Sequence, residues 1–125
     1  MTADFLKNGR VRTGDCYGTA VLTCLANDLG YEQVFAYQLE RQMDAGDVLV
    51  AISSSGESQN ILLGVEAAKS RGADVLTLTG FNRDNSLRKL GDWNMYVASD
   101  SYGVIESLHN AVLQILVDKI KEDMK

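Results

Sequence analysis

Gly46-Asp47-Val48-Leu49-Val50-Ala51-Ile52-Ser53-Ser54-Ser55-Gly56-Glu57-Ser58-Gln59-Asn60 joins two kinds of sequence at one point. Val48 to Ile52 is an unbroken apolar run, the pattern of a strand buried on both faces of a parallel sheet. Four serines and a glycine follow it directly. From Ser58 to Arg71 the apolar positions Ile61, Val65 and Ala68 recur at helical spacing, with Leu62 widening the stripe. Gly72 closes that stretch as a C-terminal cap. A second apolar run, Val75 to Thr79, comes next. Strand, helix and strand in about thirty residues predict a βαβ unit with a right-handed crossover.

The pattern extends outward on both sides. Trp93 to Ala98 is a third, weaker strand, reached through perhaps two turns of helix over Asn85 to Leu90. Val104 to about Glu122 is a long helix with Ile105, Leu108, Val112, Ile115 and Leu116 in one stripe. Gln33 to Met43 reads as another helix. Ala20 to Ala26 is open between strand and helix. No repeat, low-complexity tract or linker interrupts the 125 residues, so residues 1–125 read as a single α/β domain.

Composition excludes several classes of function. No apolar run is long enough to span a bilayer, so no membrane association is expected. Met1 to Arg10 lacks the pattern of a signal peptide, which points to the cytoplasm. The net charge is −5, from 12 Lys and Arg against 17 Asp and Glu, with no basic cluster. That argues against nucleic acid as a partner. Cys16 and Cys24 have no zinc-knuckle spacing, and one histidine in the chain leaves a four-ligand structural zinc site unassembled. The two cysteines read as small buried hydrophobes in a reducing compartment.

The Ser-rich loop is the candidate ligand site. It lies where a doubly wound sheet places its ligands, at the carboxyl end of a strand and the start of a helix. Free backbone N–H groups and the helix dipole favour an anion there. Serine hydroxyls add neutral donors, and no Lys or Arg stands in the loop. Hydrogen bonding without charge pairing suits the phosphate monoester of a small molecule. The Walker spacing and its lysine are absent, so a nucleoside triphosphate is not expected. The plain alternative is that Ser55 or Ser58 only caps a helix.

Gly46 to Asn60 resembles the phosphate loop of sugar isomerase (SIS) domains, and within them most closely that of the phosphoheptose isomerase group. Ala26-Asn27-Asp28-Leu29-Gly30-Tyr31-Glu32 resembles that group's Asn-Asp-aromatic-acid stretch. Leu78-Thr79-Gly80 resembles a strand ending of the group, and Ser99 to His109 the start of its last helix. The resemblance implies a three-layer, flavodoxin-like fold, a parallel sheet flanked by helices. It also implies a phosphate held by Ser53, Ser54, Ser55 and Ser58, and a sugar approached by Asp28. The activity implied is aldose–ketose isomerisation of a sugar phosphate such as sedoheptulose 7-phosphate. A homo-oligomer, dimer or tetramer, is implied as well. Zinc is implied by the resemblance alone, and no residue here is assigned to it.

Three departures mark the chain. The family's first strand and its Gly-Asn-Gly-Gly-Ser loop have no counterpart, so Met1 corresponds to an internal methionine and the domain reads as partial. The absent strand belongs beside Val48–Ile52, and an unpaired edge with exposed apolar residues is expected there. Asp4 falls where the family has its catalytic Glu. Glu106 and Gln114, eight apart, fall where the isomerases carry Gln and His. On this alignment Glu106 is the candidate base, because a carboxylate abstracts a proton and an amide does not. His109, Asp4 and Gln114 complete the candidate catalytic set. The alternative reading is a non-catalytic SIS module that binds a phosphosugar or a partner protein.

Overall fold

Three parallel strands lie side by side in chain order in the computed structural model, which describes residues 1–125. Strand β1 (Val48–Ile52) pairs with β2 (Asp74–Thr79), with Val48 opposite Asp74 and Ile52 opposite Leu78. Strand β2 pairs with β3 (Trp93–Tyr96), with Leu76 opposite Trp93 and Thr79 opposite Tyr96. The helices are α1 (Thr2–Lys7), α2 (Thr19–Leu29), α3 (Ala36–Gln42), α4 (Gln59–Ser70), α5 (Ser86–Leu90) and α6 (Tyr102–Asp123). A short 3-10 turn, Tyr31–Gln33, joins α2 to α3. The ambiguous Ala20–Ala26 segment is therefore helix. The stretch from Gln33 to Met43 divides into that turn and α3.

Period-two alternation sorts the strand residues between two faces. Ala51 and Val75 pack with Val65 of α4 and Leu87 of α5 in one buried cluster, with Leu49, Ile61 and Leu62 around it. A second cluster, Leu39, Met43, Ala67, Ala68 and Ala73 with Ala36, joins α3 to α4 and the turn after it. Small residues on α4 let the two helices approach closely; a Cβ on Gly64 would press on Phe35 and Leu39. Gly72 ends α4 at φ +81, with the Ala73 amide bonded back to the Ala68 carbonyl, the expected glycine cap. Helix α6 buries Ile105, His109, Leu113 and Val117, one residue per turn.

Burial on both faces, expected for β1, is not what forms. β1 has a neighbour only on the β2 side, and Val48 and Ile52 remain 54% and 43% exposed. Nothing in the chain lies across that side of the strand, so its apolar run stays half in solvent. The cysteines differ from expectation too. Cys24 is exposed on α2 beside Asp28, and Cys16 is half-buried. Burial, and then Asp15, raises the Cys16 thiol above its ordinary pKa, which keeps it from acting as a thiolate.

Candidate functional site

The serine loop begins where β1 ends and is held by the neighbouring strand. The Ser53 amide donates to the Leu78 carbonyl at 3.1 Å, and the Gly80 amide donates to the Ser54 carbonyl at 2.8 Å. The Ser53 hydroxyl donates to Ser58 Oγ at 3.2 Å and accepts from the Gly56 amide at 3.1 Å. Ser55 Oγ accepts from the Glu57 amide at 3.2 Å. These bonds curl the loop into a cradle over the start of α4. Ser58 is the N-cap of α4, yet its side chain makes no capping bond. The amides of Ser54, Ser55, Ser58 and Gln59 donate to no acceptor in the chain. Ser58 thus holds the cap position without a side-chain capping bond, and free amides lie at the helix start, where the dipole favours an anion.

Gly56 makes the cradle geometrically possible. It sits at φ +70, and a Cβ there would overlap the Asn85 side chain. Asn85 is fully buried. Its Oδ1 caps α5 by accepting from the Arg88 amide at 2.9 Å, and its Nδ2 donates to the Asn82 carbonyl at 2.8 Å. Glu57 reaches the same helix start, accepting from the Ser86 hydroxyl at 2.7 Å and the Ser86 amide at 2.8 Å. Those bonds, the hydroxyl's first, hold the Glu57 carboxyl below its ordinary pKa. A lowered folded-state pKa stabilises the fold above the unfolded value, and that contribution is lost as pH falls through the folded value. Glu57→Gln is thus expected to flatten the loss of melting temperature between about pH 5 and pH 3. Parallel wild-type and variant curves in that window would contradict the role of Glu57 as an acid-sensitive clasp.

The cradle opens into a cleft of about 440 Å³. Its floor and walls include Ser53, Ser54, Ser55 and Ser58 on one side and Glu106, His109 and Asn110 of α6 on the other. Ser54 Oγ donates to Glu106 Oε1 at 3.4 Å, a long contact that places the carboxylate beside the cradle. His109 is almost fully buried, and its Nε2 lies 3.1 Å from the Thr79 carbonyl. A carbonyl only accepts, so Nε2 is the donor in this contact. The ring's Nδ1 has no partner in the chain, and neither does the buried Thr79 hydroxyl.

Three of the candidate residues are not brought to the cleft. Gln114 is exposed on α6. Eight helical residues advance about 12 Å and turn about 80° past two full turns, which carries it off the face that holds Glu106. Asp4, on α1, accepts from the Asn8 side chain and pairs with the N-terminal ammonium at 3.5 Å. The end of α1 shares a groove with the last turn of α6, where Lys7 and Arg10 meet Lys121. Lys121 lies about 22 Å along the helix from Glu106. Asp28 is exposed at the end of α2, where it accepts from the Asn27 side chain at 2.8 Å.

The donor set does not fit zinc. No group of three His, Cys, Asp or Glu side chains gathers anywhere in the chain. The cleft offers one carboxylate and one imidazole, the latter tied through Nε2.

Comparison with known proteins places the fold. The SIS domain family model matches residues 8–80. The phosphoheptose isomerase of Helicobacter pylori (strain P12) is 42% identical over 104 residues, covering 82% of this chain and 53% of that protein. The phosphoheptose isomerase of Klebsiella pneumoniae is 38% identical over 106 residues, with the same shares covered. The structure of a phosphoheptose isomerase from Francisella tularensis superposes with a TM-score of 0.81 at 32% identity, covering 86% of this chain and 58% of that one. The phosphoheptose isomerase from Neisseria gonorrhoeae gives 0.79 at 34%, covering 84% and 58%. The chain spans about half the length of the curated relatives it matches. A serine cradle on a parallel α/β sheet, a family model matched over more than half the residues and superposition on solved members together show that this chain belongs to the SIS domain family.

Proposed function

We propose that the protein is a phosphosugar isomerase that interconverts the aldose and ketose forms of a sugar phosphate such as sedoheptulose 7-phosphate. The observation that carries this reading is the shared cleft. Phosphate donors on the Ser53–Ser58 loop face a carboxylate, Glu106, across a space sized for a small molecule. The names of its relatives point the same way.

Aldose–ketose isomerisation moves a proton between adjacent carbons. A base takes the proton from the carbon next to the carbonyl, the C–H electrons form the enediol double bond, and the carbonyl oxygen takes up a proton. The other enediol hydroxyl then gives up its proton as its C=O forms. The double-bond electrons take the carried proton at the former carbonyl carbon, so one oxygen gains the proton that the other loses. Glu106 is the base in this scheme and returns the proton as the acid. The cradle amides and hydroxyls anchor the phosphate, so the reacting carbons are held beside the carboxylate rather than found by chance. Asn110 offers an amide N–H to the carbonyl oxygen from the same wall of the cleft. His109 stands in the wall of the cleft, its ring oriented by the Thr79 carbonyl.

A thermal shift tests the reading. A ligand that binds only the folded state raises the melting temperature by mass action. Sedoheptulose 7-phosphate is expected to raise it, and Ser55→Ala to reduce the shift. A cooperative melt that the sugar phosphate leaves unmoved would overturn the reading. A shift in a protein that then shows no isomerisation would favour the non-catalytic SIS module. That alternative draws on the placement of Asp4 and Gln114 outside the cleft.

The same reading includes a cytoplasmic location and assembly as a dimer or tetramer. Exposed Val48, Ile52, Leu108 and Ile115 supply apolar surface for assembly. No helix is long and apolar enough to cross a membrane. Sedimentation as a monomer would contradict the assembly, and fractionation outside the cytoplasm would contradict the location.

A further inference from the structure

We infer that Tyr102 is a specificity-determining residue whose ring packs against the carbon chain of the bound sugar, with Phe81 holding the ring in place. The inference rests on the sugar-phosphate reading of the cleft and extends it to the part of the ligand beyond the phosphate. Tyr102 lines the cleft from the first turn of α6, four residues before Glu106. Residues four apart share a helix face, and their backbone positions lie about 6 Å apart along the axis.

The ring is 59% exposed, and its hydroxyl makes no hydrogen bond within the chain. It is nonetheless braced. The Phe81 ring meets it edge-on with centroids 4.7 Å apart and planes at 62°. Phe81 adopts φ +52, a left-handed conformation that disfavours a residue with a side chain. Its backbone is pinned from both sides. The Phe81 amide donates to the Ser99 carbonyl at 3.0 Å, and the Tyr96 hydroxyl donates to the Phe81 carbonyl at 2.8 Å. Just before it, Gly80 packs so closely on Ile105 that a Cβ would not fit, which fixes the first turns of α6 against the same loop. A strained phenylalanine thus supports a tyrosine that faces a polar cleft.

The Ser cradle supplies donors for a phosphate, and Glu106 and Asn110 supply polar partners for hydroxyls. The Tyr102 ring is the aromatic face among them, with Ile52 and Leu113 as the other apolar lining residues. A sugar chain presents C–H edges as well as hydroxyls, and an aromatic face packs against the former. The ligand class is a phosphorylated sugar with carbons beyond those that react. Inorganic phosphate fills the cradle without reaching the ring.

Binding of sedoheptulose 7-phosphate and of inorganic phosphate to wild type, Tyr102→Ala, Tyr102→Phe and Phe81→Gly, by calorimetry, tests this. Aromatic packing worth about 0.5–1.5 kcal/mol corresponds to about a 3- to 10-fold loss of sugar-phosphate affinity in Tyr102→Ala. Inorganic phosphate affinity is expected to stay the same. Tyr102→Phe keeps the ring and is expected to bind as wild type does. Phe81→Gly accepts the same φ without strain and removes the brace, so it is expected to weaken the sugar phosphate alone. Equal sugar-phosphate affinity in wild type and Tyr102→Ala overturns the inference. Equal loss of both ligands, or a Tyr102→Phe variant as weak as Tyr102→Ala, overturns it as well. A wild type that binds neither ligand overturns the cradle reading beneath it, and is distinguished from those results by the wild-type titration itself.

Discussion

Replacing Glu106 by Gln is expected to lower kcat for aldose–ketose interconversion by about 10²- to 10⁴-fold, the usual worth of a positioned general base. KM is expected to change little. Glutamine has the same length, and its carbonyl oxygen still accepts from the Ser54 hydroxyl 3.4 Å away. The variant removes the basic carboxylate that takes the proton and leaves the shape of the cleft. A loss confined to kcat identifies an interaction used in the reaction and not in ground-state binding. Steady-state kinetics on wild type and variant, with the sugar phosphate varied, separates the two parameters. Unchanged kcat would mean that another group abstracts the proton. The structure offers few substitutes, because Asp4 and Asp28 lie on other elements away from the cleft.

Gly56→Ala is expected to cost about 2–5 kcal/mol of stability, from about 1–2 kcal/mol for a left-handed residue with a Cβ and about 1–3 kcal/mol for overpacking. At this chain length that is roughly 8–20 °C of melting temperature. The space is the decisive part. Asn85 stands where the new methyl would go, and it cannot yield freely, because it is fully buried and caps α5 while bonding the Asn82 carbonyl. Gly46→Ala is the control. It has a similar φ of +88 but nothing within 4 Å of its would-be Cβ, so only the backbone cost applies. Thermal unfolding of the two variants should differ by the overpacking cost. Equal melting temperatures would show that Asn85 gives way and does not buttress the cradle.

The βαβ unit was legible because Val48–Ile52 is apolar without interruption, Val75–Thr79 is a β-branched and leucine run, and Ile61, Val65 and Ala68 keep a helical period. Both strands and α4 form within a residue of the expected ends. Ala20–Ala26 stayed ambiguous because a short, largely apolar run fits a strand and a helix segment alike. The serine loop was legible as a ligand site because four hydroxyls follow a strand directly. What it faces was not. Ser54 and Glu106 are 52 positions apart, and only the tertiary structure brings them to 3.4 Å. Gln114 lies off the cleft in this chain because eight helical residues overshoot two turns, whereas Tyr102, Glu106, His109, Asn110 and Leu113 line it. Asn85 and Glu57 went unnoticed as parts of the site. An Asn opening a short helix is a recognisable cap signal, and it pointed to α5 without revealing the contact with Gly56.

A crystal structure of the chain with sedoheptulose 7-phosphate bound tests the central claim most directly. The account predicts phosphate oxygens within about 3 Å of the Ser53–Ser58 hydroxyls and of the free amides at the start of α4, with the reacting carbons beside the Glu106 carboxylate. A phosphate bound away from that loop, with the cleft between Ser54 and Glu106 left to solvent, would contradict it.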